Sequence, residues 1–257
     1  MRWIYLSPHL DDAVFSAGGW IHNQAVSGVP VEIWTIMCGN PQLSEYSMFA
    51  QELHRVWGFS SAEETVRERR KEDERAASIV GAKTLHFDFL DCIYRRDSAG
   101  NWLYSEISVP AHEADASYPA QIAEAISSRL QPDDQILCQI ALGSHVDHVL
   151  VREAAELLHK PLRYVVDVPY WFYKPEEFPA KAAGMKESTH RIPEPSLERW
   201  IEAVHAYQSQ FPALGERFDT PAKAAESIRE YWSDRQGIRM LQFGQAGYKV
   251  LELTLES

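Results

Sequence analysis

The chain has 257 residues, of which 45% are hydrophobic and 24% are charged. This length and composition are typical of a globular domain with a substantial core, and they exclude a disordered or collagen-like chain. The formal net charge is −12, from 25 basic and 37 acidic residues. Because no broad positive field can recruit phosphates, we expect neither nucleic acid nor an anionic membrane surface as a partner.

The first residues and the cysteines predict a cytoplasmic protein. The opening apolar run is short and soon meets two aspartates, so it does not resemble a signal peptide. No segment approaches the roughly 20 apolar residues that span a bilayer, so we expect no membrane insertion. Cys38, Cys92 and Cys138 are odd in number and lack CxxC spacing, which is typical of reduced cysteines.

Strands alternate with helices along the first two thirds of the chain. The apolar run at 3–6 predicts a strand buried on both faces, followed by a helix from Asp12 to about residue 25. Further strands are predicted at 31–37, 84–89, 135–141 and 162–168, and helices at about 47–58, 62–80, 117–130 and 146–159. This alternation predicts an α/β fold with a Rossmann-like, doubly wound, mostly parallel sheet and helices on both faces.

The pattern changes at Pro169, where a stretch rich in proline and aromatic residues begins. Helices are predicted at about 196–211 and 221–235, and a last strand at 248–255. No flexible linker precedes this part, so we predict one domain over 1–257, with a core of about 1–168 and a C-terminal extension of about 169–257 packed on it. The aromatic run at 170–173 is interpreted as core packing, the more common fate of such side chains.

The first candidate motif is Ser-Pro-His-Leu-Asp-Asp at 7–12, where the first strand should end. In open α/β sheets, ligands bind at the carboxyl ends of the strands. A simpler interpretation is that Asp11 or Asp12 caps the following helix, because aspartate accepts hydrogen bonds from the free amides there. Taken alone, the motif favours capping.

A second cluster, Gly-Ser-His-Val-Asp-His at 143–148, follows the strand predicted at 135–141. His145 and His148 are three residues apart, so both project to one side of a first helical turn. Two surface histidines near a cap would also explain this cluster. Two such clusters at equivalent strand ends, however, supply the three ligands of a catalytic zinc site with a fourth position left for water. Iron or another divalent ion would suit the same ligands.

These motifs resemble the PHPDD-type and HxDH signatures of the PIG-L/LmbE-like deacetylases, which include N-acetylglucosaminyl-phosphatidylinositol, mycothiol and bacillithiol pathway enzymes. The segments at 69–73 and 207–210 are similar, less specifically, to the family's Arg/Glu helix and its late helix ending in Ser-Gln. The resemblance implies one Zn²⁺ per chain bound by His9, Asp12 and His148, with another divalent metal as an alternative. It also implies that Asp11 is the general base that activates water.

Further roles follow from the same resemblance. His145 would stabilise the oxyanion or protonate the leaving amine, with Asp147 orienting it. Arg69 would contact the substrate, although a solvated helix charge is an equal alternative. Asp91 could bind sugar hydroxyls or could be an ordinary turn aspartate.

Three positions depart from the family pattern. Leu10 replaces the usual proline, a residue whose role there is to stiffen the turn. Ala13 stands where many members carry a glutamate that can support the metal loop. The tyrosine that some members place shortly before HxDH is missing, because the chain reads Ala-Leu-Gly-Ser at 141–144. The group that binds the oxyanion beside zinc and His145 is therefore unassigned.

The predicted activity is metal-dependent removal of the N-acetyl group from an N-acetylglucosamine-type amino sugar or glycoconjugate. We expect a small polar aglycone, with long acyl amides and peptides as poor substrates. The alternatives are a metal hydrolase of another small-molecule amide and a non-catalytic ligand-binding relative, the latter because of Ala13 and the missing tyrosine. A homo-oligomer is compatible with the sequence.

Overall fold

The computed structural model describes residues 1–244, which form one seven-stranded sheet. The strands are β1 (Trp3–Ser7), β2 (Val31–Thr35), β3 (Lys83–His86), β4 (Gln135–Gln139), β5 (Leu162–Val165), β6 (Met185–Arg191) and β7 (Gly237–Phe243). Their order is β3-β2-β1-β4-β5-β7-β6. The first five pair in parallel, whereas β7 joins β5, and β6 joins β7, in antiparallel fashion. The predicted α/β fold with a mostly parallel sheet is confirmed.

Nine α-helices connect and flank these strands within the described range. They are α1 (Asp12–Val26), α2 (Met48–Trp57), α3 (Ala62–Val80), α4 (Tyr118–Ser127), α5 (Val146–Glu156), α6 (Tyr170–Tyr173), α7 (Phe178–Lys181), α8 (Glu194–Val204) and α9 (Pro221–Ser233). Among residues 1–244, no helix combines the length and apolar character needed to cross a membrane.

Side chains of β1 alternate between two hydrophobic cores. Trp3 and Tyr5 point to the face covered by α1, α3, α8 and α9. Ile4 and Leu6 point to the opposite face, which is covered by α4 and α5. Because successive strand residues face opposite sides, a continuous apolar run is what a doubly covered strand requires.

The C-terminal part differs from the sequence-based prediction. It contributes β6 and β7 to the sheet edge, two strands that the sequence analysis missed. Residues of β6 are mostly exposed and polar, as an edge strand tolerates, so an apolar pattern could not reveal it. The strand predicted at 248–255 lies outside the described residues. The division of the chain near residue 168 stays a prediction.

Two glycines let α1 and α8 approach closely. A Cβ at Gly18 would lie 2.5 Å from Cδ1 of Trp200, and one at Gly19 would lie 3.0 Å from the same indole. The indole Nε1 donates to the carbonyl of Val14 at 2.7 Å. Since α1 begins at Asp12, the last residue of the first candidate motif, this contact anchors the helix that continues the motif.

Substituting Gly18 with valine should destabilise the protein, because the added methyl groups would overlap the Trp200 indole. Overpacking a buried contact costs about 1–3 kcal/mol in the free energy of unfolding, which urea denaturation would measure. Val26→Ala on the same helix, where the side chain is 66% exposed, should change that free energy by less than about 0.5 kcal/mol. Equal stabilities for Gly18→Val and the parent would refute the close α1–α8 packing.

Candidate active site

The loop between β1 and α1 brings His9, Asp11 and Asp12 into the protein, each less than 9% exposed. The hydroxyl of Ser7 donates to the His9 carbonyl and accepts from the Ala13 amide, which fixes the loop. The amide of His9 donates to Oδ2 of Asp12 at 2.8 Å. The Asp11 side chain makes no capping hydrogen bond to α1, so helix capping does not explain this aspartate.

The second motif meets the first at the end of the neighbouring strand, β4. His145 is the N-cap residue of α5, and Asp147 and His148 lie in its first turn. The ring of His9 lies 4.7 Å from that of His145 and 5.3 Å from that of His148, centroid to centroid. The structure therefore brings the two predicted His/Asp clusters together.

His9, Asp12 and His148 present donor atoms at the spacing of a metal site. Oδ2 of Asp12 lies 3.3 Å from Nδ1 of His9 and 3.3 Å from Nε2 of His148, and the three donors lie within 4.8 Å of one another. Zinc ligands at about 2.0–2.1 Å in a tetrahedron are about 3.3–3.4 Å apart. The residues present thus fit a divalent cation of this kind.

Asp167 holds His148 from behind. Its Oδ1 lies 3.0 Å from Nδ1 of His148, and its Oδ2 accepts from the Leu142 amide at 3.0 Å. A carboxylate at one ring nitrogen fixes the tautomer and frees the other nitrogen for a metal. Asp167 was not predicted from the sequence, because it fell inside the strand predicted at 162–168, whereas β5 ends at Val165 and leaves Asp167 at the strand end.

The carboxylate of Asp147 contacts His9 rather than His145. Its Oδ2 lies 3.0 Å from Nε2 of His9 and accepts from the Cys92 amide at 2.9 Å, while its Oδ1 lies 2.6 Å from Nη1 of Arg95. The backbone amide of Asp147 donates to Nδ1 of His145 at 3.1 Å. The predicted support for His145 thus comes from the Asp147 main chain, and the side chain orients His9.

Arg95 was not anticipated from the sequence. It is 4% exposed and forms ion pairs with both Asp147 and Asp115, the latter at 2.9 Å. Its guanidinium also donates to the Leu90 carbonyl. The positive charge of Arg95 offsets the negative charges of the two buried carboxylates. Without Arg95, these carboxylates would be buried without a charged partner from this side chain.

Burial and neighbouring charges shift the pKa values of the site residues in different directions. Burial, followed by the charge of Asp12, raises the pKa of Asp11 to about 7. Burial opposes ionisation of Asp12, but the charge of His148 and a hydrogen bond from His9 outweigh it, so the pKa of Asp12 lies below its usual range. Burial, reinforced by His9 and His148, lowers the pKa of His145 well below its usual value. His145 is therefore neutral in this environment.

A cavity of about 490 Å³ opens above these residues, and both predicted substrate contacts line it. Arg69 is 7% exposed, its Nη2 lies 3.7 Å from Oδ2 of Asp11, and its guanidinium stacks on Trp57 at 4.8 Å. It is therefore not a solvated helix charge. Asp91 accepts from the Ile93 amide, as a turn aspartate does, and its Oδ2 lies 3.7 Å from Nε2 of His9.

Tyr170 packs against a hydrophobic core, as predicted for the 170–173 run, but it also lines this cavity, as does Tyr173. Its ring meets the ring of His148 edge-on at 5.5 Å. Gly143 has a φ of +83°, and a Cβ there would lie 2.1 Å from Cδ1 of Tyr170. The glycine in the Ala-Leu-Gly-Ser segment therefore makes room for a tyrosine that another part of the chain supplies.

The two less specific motifs, at 69–73 and 207–210, contact each other, and Arg69 and Gln210 also line the cavity. Tyr207 donates to Oδ1 of Asp73 at 2.8 Å. The amide and hydroxyl of Ser209 donate to Glu72 at 2.9 and 2.6 Å. These bonds join α3 to the segment after α8 and so fix the helix that carries Arg69.

Comparison with known proteins identifies the family. The family model described as PIG-L, GlcNAc-PI de-N-acetylase, matches residues 4–158, more than half of the chain. The chain therefore belongs to the PIG-L family. No curated protein matches it significantly.

Solved structures resemble the whole fold. The zinc-inhibited form of a teicoplanin deacetylase is 28% identical over 94% of this chain and 97% of its own, with a TM-score of 0.80. An A40926 pseudoaglycone deacetylase is 28% identical over 94% and 96%, with a TM-score of 0.73. A 4-carboxy-2-hydroxymuconate hydratase from Pseudomonas putida shares the fold at 17% identity, over 94% and 95%, with a TM-score of 0.57.

Replacing Arg95 with methionine should leave the Asp147 and Asp115 carboxylates buried without compensation. Breaking a buried ion pair costs about 3–5 kcal/mol, so the urea midpoint at neutral pH should fall markedly. Arg55→Met removes an exposed arginine paired with Glu52 and should leave the midpoint near that of the parent. Similar midpoints for the two variants would contradict the structural role of Arg95.

Proposed function

We propose that this protein removes the N-acetyl group from an N-acetylglucosamine-type sugar, using a divalent cation, zinc foremost, held by His9, Asp12 and His148. The observation that carries the proposal is the 3.3 Å spacing of these donors beneath a cavity that also contains Asp11. Membership of the PIG-L family and the 28% identical deacetylases support a sugar N-deacetylase. Those two neighbours are named as deacetylases of teicoplanin and of the A40926 pseudoaglycone, which supports removal of an acetyl group by this chain as well.

Asp11 is the proposed general base. A cation bound in this site would polarise the amide carbonyl and make water easier to deprotonate. Asp11 lines the same cavity as the three donors and makes no capping bond to α1. Arg69 faces its Oδ2 at 3.7 Å, beyond hydrogen-bond distance, so the carboxylate can accept a proton. Burial raises its proton affinity, as the pKa of about 7 expresses, and a bound cation would moderate that rise.

His145 is proposed as a neutral hydrogen-bond donor to the oxyanion. Because Nδ1 accepts from the Asp147 amide, the proton of the neutral ring is on Nε2. A neutral imidazole can donate this hydrogen bond but cannot readily surrender the proton to an amine. The leaving amine would then receive its proton from Asp11, which has taken one from water.

Tyr170 is proposed as the second donor to the oxyanion, in place of the tyrosine missing before HxDH. Burial, followed by the charges of Asp12, Asp167 and Asp11, raises the pKa of its phenol well above the usual value, so the hydroxyl stays protonated. Its location in the cavity beside His148 suits this role.

Two alternatives motivated by the sequence remain distinguishable by experiment. The 17% identical hydratase shows that this fold is compatible with other chemistry. A metal hydrolase of another amide is therefore kept as an alternative, and a panel of amide substrates tests it. A non-catalytic relative was suggested by Ala13 and the missing tyrosine. The Ala13 side chain is buried in the core, its amide donates to the Ser7 hydroxyl that fixes the loop, and Tyr170 is proposed to take the place of the missing tyrosine.

Asp11→Asn and Asp12→Asn should separate catalysis from metal binding. Asp11→Asn removes the base but no metal donor, so metal content should persist while kcat for acetate release falls roughly 10²–10⁴-fold. Asp12→Asn should lower the metal content, with activity partly restored by excess zinc. Metal analysis and acetate assays on N-acetylglucosamine derivatives check both variants. Loss of metal from Asp11→Asn alone would reverse the two assignments.

Tyr170→Phe should lower kcat by about 10²-fold, the order of effect of removing one oxyanion donor, without changing metal content. Tyr173→Phe is the matched control, because that phenol lines the same cavity but accepts a hydrogen bond from the Arg217 amide. If both variants keep the parental kcat, Tyr170 has no role in the reaction.

A further inference from the structure

The backbone between β4 and α5 is strained directly before His145. We call residues 140–145 the β4–α5 loop. In this loop Ala141, Gly143 and Ser144 have φ angles of +58°, +83° and +53°. These left-handed angles suit glycine, whereas alanine and serine adopt them at a cost in free energy. Such conformations persist only where the surrounding structure enforces them, so other parts of the chain must hold this loop in shape.

Glu177 holds the β4–α5 loop from a distant part of the chain. Its Oε2 accepts from the Gly143 amide and from the Ser144 hydroxyl, each at 3.1 Å. Glu177 is half-buried and ends the short 3₁₀ turn Pro175–Glu177. Because an ionised carboxylate is a stronger acceptor than a neutral oxygen, Glu177 stabilises the two left-handed residues that lie nearest His145.

Another carboxylate, Asp167, holds the same loop at a different point. Its Oδ2 accepts from the Leu142 amide, but its Oδ1 faces the ring of the proposed metal ligand His148. Asp167 therefore supports the loop and the metal site together. The hydrogen bonds of Glu177 end on the loop, so substituting Glu177 disturbs the loop without removing a metal donor.

The β4–α5 loop connects the two proposed donors to the oxyanion. His145 is its last residue and the N-cap of α5. The Gly143 backbone lies against the ring of Tyr170, where an added Cβ would come within 2.1 Å of Cδ1. A movement of Gly143 would therefore displace the Tyr170 ring, the histidine two residues further on, or both. A displacement of about 1 Å at a reacting group can lower a rate about 10²-fold.

We propose that Glu177 is a positioning residue, whose carboxylate fixes the β4–α5 loop so that His145 and Tyr170 face the same substrate oxygen. The inference rests on the proposed function, in which both residues donate to the oxyanion. It gives a role to a glutamate that lies outside both His/Asp motifs. Because oxyanion donors act mainly in the transition state, loss of this support should lower kcat and leave KM nearly unchanged.

The test compares three variants of the metal-loaded protein. Glu177→Ala should lower kcat for acetate release by about 10-fold to 10²-fold, with the KM and zinc affinity of the parent. Glu177→Gln keeps a side-chain oxygen that can accept the same hydrogen bonds, so it should recover most of the lost kcat. Glu176→Ala is the matched control, because it removes an exposed carboxylate from the same 3₁₀ turn and should retain the parental kcat. Amide hydrogen exchange at residues 141–147 should be faster in Glu177→Ala than in Glu176→Ala.

Other outcomes would overturn the inference or the proposed function separately. Parental kcat in Glu177→Ala would reduce Glu177 to a structural role, and a rise in KM alone would assign it to substrate binding. An equal loss of kcat in Glu176→Ala would attribute the effect to the charge of the turn. If the parent releases no acetate from N-acetylglucosamine derivatives, the proposed function fails. The ring NMR signals of His145, assigned with His145→Gln, then test the positioning alone, and identical signals in Glu177→Ala and the parent would refute it.

Discussion

Buried carboxylates at the carboxyl edge of the sheet require nearby positive charge. Asp12, Asp147 and Asp167 are each less than 9% exposed, and an uncompensated charge at such a depth would be too costly to keep. Arg95 compensates Asp147, but Asp12 and Asp167 face histidine nitrogens instead. Protonated imidazoles or a divalent cation can supply the missing charge, and the donor spacing around Asp12 favours the cation.

Much of the surrounding fold holds these groups in place. Parallel strands β1, β4 and β5 end at the same edge, so the loops after them bring His9, His148 and Asp167 together. The glycines of α1 let α8 pack against the helix that begins at Asp12. Bonds from the segment after α8 to α3 fix the helix of Arg69. Positions far from the cavity therefore determine its geometry.

The sequence could predict the parts of the site that lie within short motifs. His9, Asp11, Asp12, His145 and His148 were found because two His/Asp clusters follow two predicted strands, and the structure places them together. Tyr170 could not be singled out because it stands in a run of four aromatic residues for which core packing was predicted, and Arg95 could not because a single basic residue outside a motif carries no periodic signal. Their partners, Gly143 and Asp147, are distant in sequence, so only tertiary packing reveals the contacts. The edge strand β6 was missed because strands were predicted from apolar residues, and most residues of β6 are polar and exposed.

The central claim is that the carboxylate-rich edge holds one divalent cation between His9, Asp12 and His148. Calorimetric titration of metal-free protein with zinc tests it most directly. The account predicts one saturable site per chain, which His148→Ala abolishes while its circular dichroism remains that of the folded protein. Zinc binding of undiminished affinity in folded His148→Ala, or no saturable binding by the parent, would contradict the account.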